Sequence, residues 1–337
     1  MKVIITGATG LLGGWLVSDL IRESYDVTVI GYESKIDYQS STENPRLTSQ
    51  YAIKNLNKKT KEVFLDLCDF PSVENMIKEE QPDVVIHMAA VSRVSVAKNN
   101  PKHTYELASN GTLNLLESIR LHSPNSIFIC HTEHKIYSGN KLPFNEDMLF
   151  DPEFMFVAAK ISKEYLTKIY SKTYGIKGVT IRGGTYFGGY DFNFHKVIPY
   201  TISSLLKNEK IILRSDGKIS RDFLYVKDAV LINRMLIKAM TQSNSSFQFG
   251  EAYNFSLGRD ISLKEVVKKI SYIFGKEAKI DTVGGGHLLY GSSEMPHIRL
   301  DCKKAKEKLN WQPQYSFEEG LRETIDFYKS YFLDNHL

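Results

Sequence analysis

Three glycines spaced three apart, Gly7, Gly10 and Gly13, stand directly after the apolar run Val3-Ile4-Ile5 and open the amphipathic segment from Leu11 to Arg22. A strand that feeds a helix through Gly7-Ala8-Thr9-Gly10-Leu11-Leu12-Gly13 has few structural options. One glycine permits the tight turn, another lets the backbone approach a pyrophosphate, and the third lets helix and strand pack closely. The helix N-terminus then presents free N–H groups and a partial positive charge to a phosphate. An ordinary βα turn is the plain alternative. The strand–turn–helix context points instead to a dinucleotide site formed by Gly7, Thr9, Gly10, Leu11, Leu12 and Gly13.

Strand and helix signals keep alternating. Strands are expected at 26–30, 62–66, 83–87, 126–130 and 178–182, and helices at 71–80, 104–122 and 154–173. Such βαβ rhythm implies a Rossmann-type doubly wound parallel sheet, an α/β fold with a smaller C-terminal α/β substrate lobe. Residues 1–185 are read as the dinucleotide-binding domain, with later segments returning to it, and 186–337 as the region that binds substrate. Two stretches break the rhythm. From Glu33 to about Lys61 the chain is polar and reads as a long surface loop with at most one helical turn. Past Gly188 the connections lengthen, with two helices and turn-rich pieces around Gly284-Gly285-Gly286.

Composition removes other classes. With 42% hydrophobic and 24% charged residues the chain is ordinary for a globular protein, and no apolar stretch is long enough to span a bilayer. A net charge of +4 is small for 337 residues and leaves no support for nucleic-acid binding. The cluster Lys54, Lys58, Lys59 and Lys61 reads as solvated loop. Glycines follow Met1 too soon for a secretory apolar region, which suggests a cytoplasmic protein. Cys68, Cys130 and Cys302 lie far apart without metal-binding spacing, so they are expected to be buried thiols, with no metal site.

The end of the second strand separates NAD from NADP, because an acidic side chain accepts from ribose hydroxyls and a basic one suits the extra phosphate. Glu33, Ser34 and Lys35 supply both kinds. The reading leans to NADP(H) over NAD(H), through Ser34 and Lys35. Asp66 and Leu67, at the end of the third strand, are placed near the adenine, with turn-capping by Asp66 as the alternative.

Four pieces together resemble the extended short-chain dehydrogenases/reductases that modify nucleotide sugars. They are Gly7-x-x-Gly10-x-x-Gly13, the strand end His87-Met88-Ala89-Ala90, the helix bearing Lys160, and Arg221-Asp222-Phe223-Leu224-Tyr225-Val226-Lys227-Asp228. Within that family the segments Arg182 to Asp191, Leu300 to Lys306 and Leu309 to Pro313 are most similar to CDP-glucose 4,6-dehydratases. The resemblance implies a nucleotide-linked sugar as substrate and a homodimer paired through the helices at 104–122 and 154–173. It also places Ala89 and Ala90 against the cofactor. Arg221 suits a diphosphate through its planar fork, and its alternative is an ion pair with Asp222 or Asp228. Arg93, Thr185, Asp191 and Lys196 join it as substrate-binding candidates. The aromatic run Tyr186, Phe187, Tyr190, Phe192 and Phe194 lines either the sugar site or the core.

Family members use a Tyr-x-x-x-Lys pair on one helical face: the lysine touches the ribose and lowers the tyrosine pKa, and the phenol exchanges the substrate proton. Here Lys160 is present, but Phe156 replaces the tyrosine. With Ile136-Tyr137 as anchor, the usual Ser/Thr falls on Glu133, the dehydratase acid on His134, and the next position on Lys135. Ala108 and Thr185 stand where the family usually carries Asn. Changes at several positions point to divergence of the whole site rather than to one trapped substitution.

Glu133, His134 or Lys135 is therefore expected to exchange the proton while Lys160 holds the nicotinamide ribose. Glu133 is expected to be ionised and orienting, and His134 to have the pKa best suited to neutral pH. With those positions changed, a simple NAD(P)-dependent reduction of a keto or open-chain sugar, or the reverse oxidation, is the favoured reaction. A 4,6-dehydratase or epimerase with relocated groups, and a catalytically idle cofactor or nucleotide-sugar binder, remain the alternatives.

Overall fold

A computed structural model of the chain describes residues 1–31, 49–137, 139, 141–213, 215–242, 247–282 and 295–334. In the first part the elements are β1 (Lys2–Thr6), α1 (Leu11–Arg22), β2 (Asp26–Gly31), α2 (Gln50–Ile53), β3 (Lys61–Phe64), α3 (Phe70–Glu80), β4 (Val84–His87) and α4 (Val94–Asn99). Then come α5 (Pro101–His122), β5 (Ile127–Glu133), α6 (Met155–Tyr174), β6 (Lys177–Gly183) and β7 (Thr185–Phe187). The remainder forms α7 (Val197–Leu206), β8 (Ile211–Leu213), β9 (Ser220–Tyr225), α8 (Val226–Thr241), β10 (Ala252–Phe255), β11 (Asp260–Ser262), α9 (Leu263–Phe274), β12 (Ile280–Thr282), α10 (Lys303–Leu309) and α11 (Phe317–Asp334).

Seven parallel strands in the order β10-β6-β5-β4-β1-β2-β3 form the main sheet, and its order reverses direction between β1 and β4. Ligands bind such sheets at that switch, beyond the carboxyl ends of the strands. Apart from the edge strand β3, which is mostly exposed, the sheet is buried on both faces, as its apolar strands require. Alternate residues sort cleanly: Val3, Ile5, Val84, Ile86, Ile127 and Ile129 share one core with α1 and α8, whereas Ile4, Val85, Phe128 and Cys130 face α3 and α5. A three-stranded sheet, β11-β9-β7, and a two-stranded one, β12-β8, complete the later part.

Several expectations are corrected. The second half of the supposed surface loop is packed: Tyr51 and Leu56 are buried, and the Tyr51 hydroxyl donates to Glu62 Oε1 at 2.8 Å. Gly14 makes the room, since a Cβ there would lie 2.9 Å from the Tyr51 nitrogen. Lys54 belongs to this packed segment, its ammonium 6.0 Å from the Trp15 ring centre and 5.6 Å from that of Tyr190. The short helix α4 has too few residues to show a period and departs from the expected pattern, and among the described residues five helices rather than two follow Gly188. Cys130 and Cys302 are buried, but Cys68 is half-buried only. Glu33, Ser34, Lys35 and the Gly284-Gly285-Gly286 turn lie outside the described residues. No described helix is long and apolar enough to cross a membrane.

Candidate active site

The glycine turn has the shape its spacing requires. Gly7 has φ +79°, a conformation L side chains rarely adopt, and a Cβ there would sit 2.9 Å from the Ala89 nitrogen. A Cβ at Gly13 would overlap the carbonyl of Gly7 and the backbone of Ala8. Gly10 is the exposed N-cap of α1, with no side chain capping the helix and no acidic residue in its first turn. The helix N-terminus is therefore left for an external anion, with Thr9 and Leu11 half-buried beside it and Leu12 in the core. These residues fit a dinucleotide diphosphate. Asp66 is exposed and its Oδ1 accepts from the Cys68 amide at 2.8 Å, so it caps its own turn. Leu67 is buried, its carbonyl held by Asn114 Nδ2 at 2.8 Å.

Across the switch point, a hydrogen-bond chain fixes the turn after β4. Thr112 donates to the Ala108 carbonyl at 2.5 Å, so its oxygen accepts from His87 Nε2 at 2.9 Å. His87 Nδ1 must then accept from the Thr6 hydroxyl at 2.8 Å, and the Thr6 oxygen accepts from the Ala89 amide at 3.1 Å. Every group in the chain is satisfied by one neutral His87 tautomer. Complete burial, with Lys163 and Lys160 nearby, holds the His87 pKa well below its ordinary value. Lys163 closes the far side: its Nζ lies 3.2 Å from the Ala89 carbonyl and 3.5 Å from that of His87.

The groups expected to do chemistry gather at the carboxyl end of β5. Glu133 is its last residue, and His134 and Lys135 form the 3₁₀ turn that follows. Phe156 lies in the first turn of α6 with its ring buried and stacked on Phe154, while Lys135 and Lys160 place their ammonium groups 5.9 and 5.5 Å from its centre. Burial lowers the Lys160 pKa, and the Glu133 carboxylate partly offsets this. His134 departs from expectation. Burial pushes its pKa down to about 4, so the imidazole is neutral at pH 7 instead of poised near it. Its Nδ1 meets the Gly183 carbonyl at 3.1 Å and must be the protonated nitrogen, leaving Nε2 as a buried lone pair without a partner. Glu133 Oε1 is likewise buried and unpartnered.

The expected substrate residues divide. Arg221 is buried on β9 and its Nη1 donates to the carbonyls of Ser220 and Met295 at 2.8 and 3.0 Å, while its charge reaches His134. Asp222 instead accepts from Ser256 and the Leu300 amide, and Asp228 from the amides of Gln314 and Tyr315. Thr185, half-buried, begins β7 next to β9, and Arg93 is the N-cap residue of α4, beyond Ala90. Asp191 and Lys196 pair with each other at 2.8 Å, and Asp191 also caps its own turn at the Asn193 amide, so both serve the local loop. Phe187 and Phe192 are core, packed against Phe317 and Tyr328 respectively.

A family model described as GDP-mannose 4,6 dehydratase matches residues 4–324, nearly the whole span just described. The chain belongs to the GDP-mannose 4,6-dehydratase family. Relatives at full length include a putative UDP-glucose 4-epimerase of Methanocaldococcus jannaschii, 28% identical over 97% of this chain and 98% of that protein. A CDP-glucose 4,6-dehydratase of Salmonella typhimurium is 26% identical over 98% of this chain and 91% of its own length. Among solved structures, DesIV of Streptomyces venezuelae, a dTDP-glucose 4,6-dehydratase with NAD and TYD bound, superposes with a TM-score of 0.81 at 20% identity, covering 98% of each chain.

For a member of the GDP-mannose 4,6-dehydratase family, two buried groups escaped the sequence reading. Lys163 follows Lys160 by three residues and so shares its helix face, but nothing local shows that its amine ends fully buried under the β4 turn. In the sequence Tyr186 is one aromatic in a run. Its hydroxyl is buried without a partner, over Gly183. A tyrosine three residues past a glycine at a strand end is too common a pattern to have singled it out.

Proposed function

We propose that this protein is an NAD-dependent nucleotide-sugar 4,6-dehydratase that works without the usual tyrosine. The observation that carries this reading is that Glu133, His134 and Lys135 follow one another at the end of β5, where the Lys135 ammonium comes to 5.9 Å from the Phe156 ring centre and the Glu133 carboxylate acts on Lys160. A simple reduction needs one proton donor, whereas dehydration needs several positioned acids and bases, since a hydride and a proton leave, water departs and the hydride returns. Three ionisable groups on consecutive residues supply that capacity. The preference for a reductase therefore gives way to the dehydratase alternative, which the Salmonella and Streptomyces relatives also favour. Epimerisation is the second reading, favoured by the Methanocaldococcus relative.

Each group has a task in this reading. The α1 N-terminus at Gly10 and Leu11 holds the cofactor diphosphate, and Lys160 holds the ribose that carries the nicotinamide. The cofactor supplies reversible hydride transfer. His134 offers an Nε2 lone pair as the final acceptor of the proton a sugar hydroxyl gives up, Lys135 an ammonium to a leaving or developing oxyanion, and Glu133 a carboxylate that moderates the charge of Lys160. Arg221 faces the diphosphate of the sugar nucleotide. NAD is proposed over NADP because the bound cofactor of the Streptomyces structure is NAD.

CDP-, GDP-, UDP- and dTDP-sugars, each with NAD and NADP, test the reading through product mass and cofactor absorbance. A dehydratase gives a product lighter by one water with no net change in the cofactor. An isomer of unchanged mass indicates epimerisation, and stoichiometric consumption of reduced cofactor restores the reductase. Binding without turnover of any sugar marks an idle binder.

A further inference from the structure

We infer that Tyr186 supplies the phenolic hydroxyl that exchanges the substrate proton, standing in for the tyrosine absent at position 156. The inference rests on the proposed nucleotide-sugar chemistry and deepens it.

Phe156 cannot exchange a proton, and its ring centre lies 5.9 and 5.5 Å from the ammonium groups of Lys135 and Lys160. A folded chain rarely leaves buried polar atoms unpaired unless a ligand, water or reaction uses them. Among the described residues three such atoms, Glu133 Oε1, His134 Nε2 and the Tyr186 hydroxyl, come from the end of β5 and the corner between β6 and β7. Gly183 ties them together. It pairs in parallel register with Glu133, so their Cβ directions point to the same face of the sheet. A Cβ at Gly183 would overlap the Tyr186 phenol oxygen, so that oxygen occupies the missing side-chain position. The phenol thus stands on the Glu133 face, about one strand spacing (~4.8 Å) from the Glu133 backbone. His134 borders the same glycine through its hydrogen bond to the Gly183 carbonyl. The donor and the acceptor also match: Tyr186 has an O–H with no acceptor, and His134 has an Nε2 with no donor.

Burial raises the Tyr186 pKa, so the phenol is protonated at rest. When a sugar carbinol is oxidised, its C–H electron pair leaves as hydride for the oxidised nicotinamide and its C–O bond becomes C=O. The hydroxyl proton passes to the Tyr186 oxygen while the phenolic proton passes to His134 Nε2, directly on closer approach or through an intervening water, since the two atoms share no hydrogen bond at rest. The neighbouring Glu133 carboxylate favours the imidazolium so formed. As the hydride returns to a second carbon of the sugar, the departing hydroxyl takes up one of the two protons the sugar has lost and the neighbouring carbon takes up the other, so both groups are restored and no other oxidant or reductant is consumed. Gly183 is then as necessary as the tyrosine, because any side chain there would displace the ring.

The full-length protein, NAD-loaded and given the nucleotide sugar it turns over, tests this with Tyr186→Phe. Expected is a kcat lowered by ~10²–10⁴, the range of a lost general acid–base. NADH affinity, measured by fluorescence titration, and melting temperature should be unchanged, since the hydroxyl has no protein partner to lose. A kcat within about threefold of wild type would overturn the inference and leave the proposed function standing. Loss of kcat together with cofactor affinity or thermal stability assigns the residue a structural role and also overturns it. Cofactor binding without turnover of any sugar by the wild-type protein overturns both.

Discussion

The buried ammonium of Lys163 donates to the carbonyl oxygen of Ala89 across 3.2 Å, tying the middle of α6 to the turn that faces Gly7. Ala89 is thereby held at both ends, its amide by Thr6 and its carbonyl by Lys163. A side chain from a helix, a strand and the turn between β4 and α4 act together to fix one wall of the cofactor cradle.

Replacing Lys163 by Met keeps most of the apolar stem and removes both donations to the carbonyls of His87 and Ala89. A buried carbonyl left unpaired costs about 1–3 kcal/mol. The Ala89–Ala90 turn should loosen and NADH affinity should fall roughly tenfold, at about 1.4 kcal/mol per tenfold. Calorimetric titration gives the answer, and an unchanged Kd would mean that the glycine turn alone sets the cradle.

The same lysine should make stability depend on pH. Burial, helped by the charge of Lys160, lowers its pKa from 10.5 to about 7 in the folded protein. Between those two values the unfolded chain binds more protons than the folded one, so this group makes stability rise with pH across the window and adds no slope below it. Denaturant midpoints measured from neutral to alkaline pH should show this rise, and Lys163→Met should flatten it. A variant with the same slope as wild type would locate the pH dependence elsewhere.

Phe156→Tyr should change turnover by less than about tenfold, small beside the ~10²–10⁴ of a working general acid–base. The new hydroxyl would return a phenol to the family's usual position, but Glu133, His134 and Lys135 would still stand at the end of β5 in place of the usual partners. Product formation with the preferred nucleotide sugar measures the effect. A gain of several orders of magnitude would show that the phenylalanine is the lesion and that no proton relay has moved.

The long helices carry apolar side chains that this single chain leaves exposed: Tyr105, Leu113 and Leu121 on α5, Tyr165, Ile169 and Tyr174 on α6. Such a concentration on two adjacent helices is expected to be covered by a second copy. Light scattering should give twice the chain mass, and Ile169→Lys with Tyr165→Lys should yield monomer. Wild-type monomer at micromolar concentration would refute this.

The glycine turn, the alternation of strand and helix, and Lys160 could be read directly because each depends on residues close in sequence: backbone freedom at Gly7, a period of two or 3.6, a spacing of four on one helix. The packed segment around Tyr51 was misread as loop because its apolar residues are few and their partner is Gly14, far off in the chain. His134 was misjudged for a related reason. Its ordinary pKa is a property of the residue, but its burial and its bond to Gly183 come from a neighbouring strand.

Local chemistry therefore determined that this chain forms a dinucleotide-type α/β sheet and that its usual tyrosine is missing. Only the tertiary structure decided how the buried groups are arranged: that His87 is fully bonded while His134 keeps a bare nitrogen, that Lys163 is buried beneath Ala89, and that a phenol lies in the space Gly183 leaves open. Those outcomes depend on strand register and on desolvation by residues distant in the chain, quantities that no local pattern encodes.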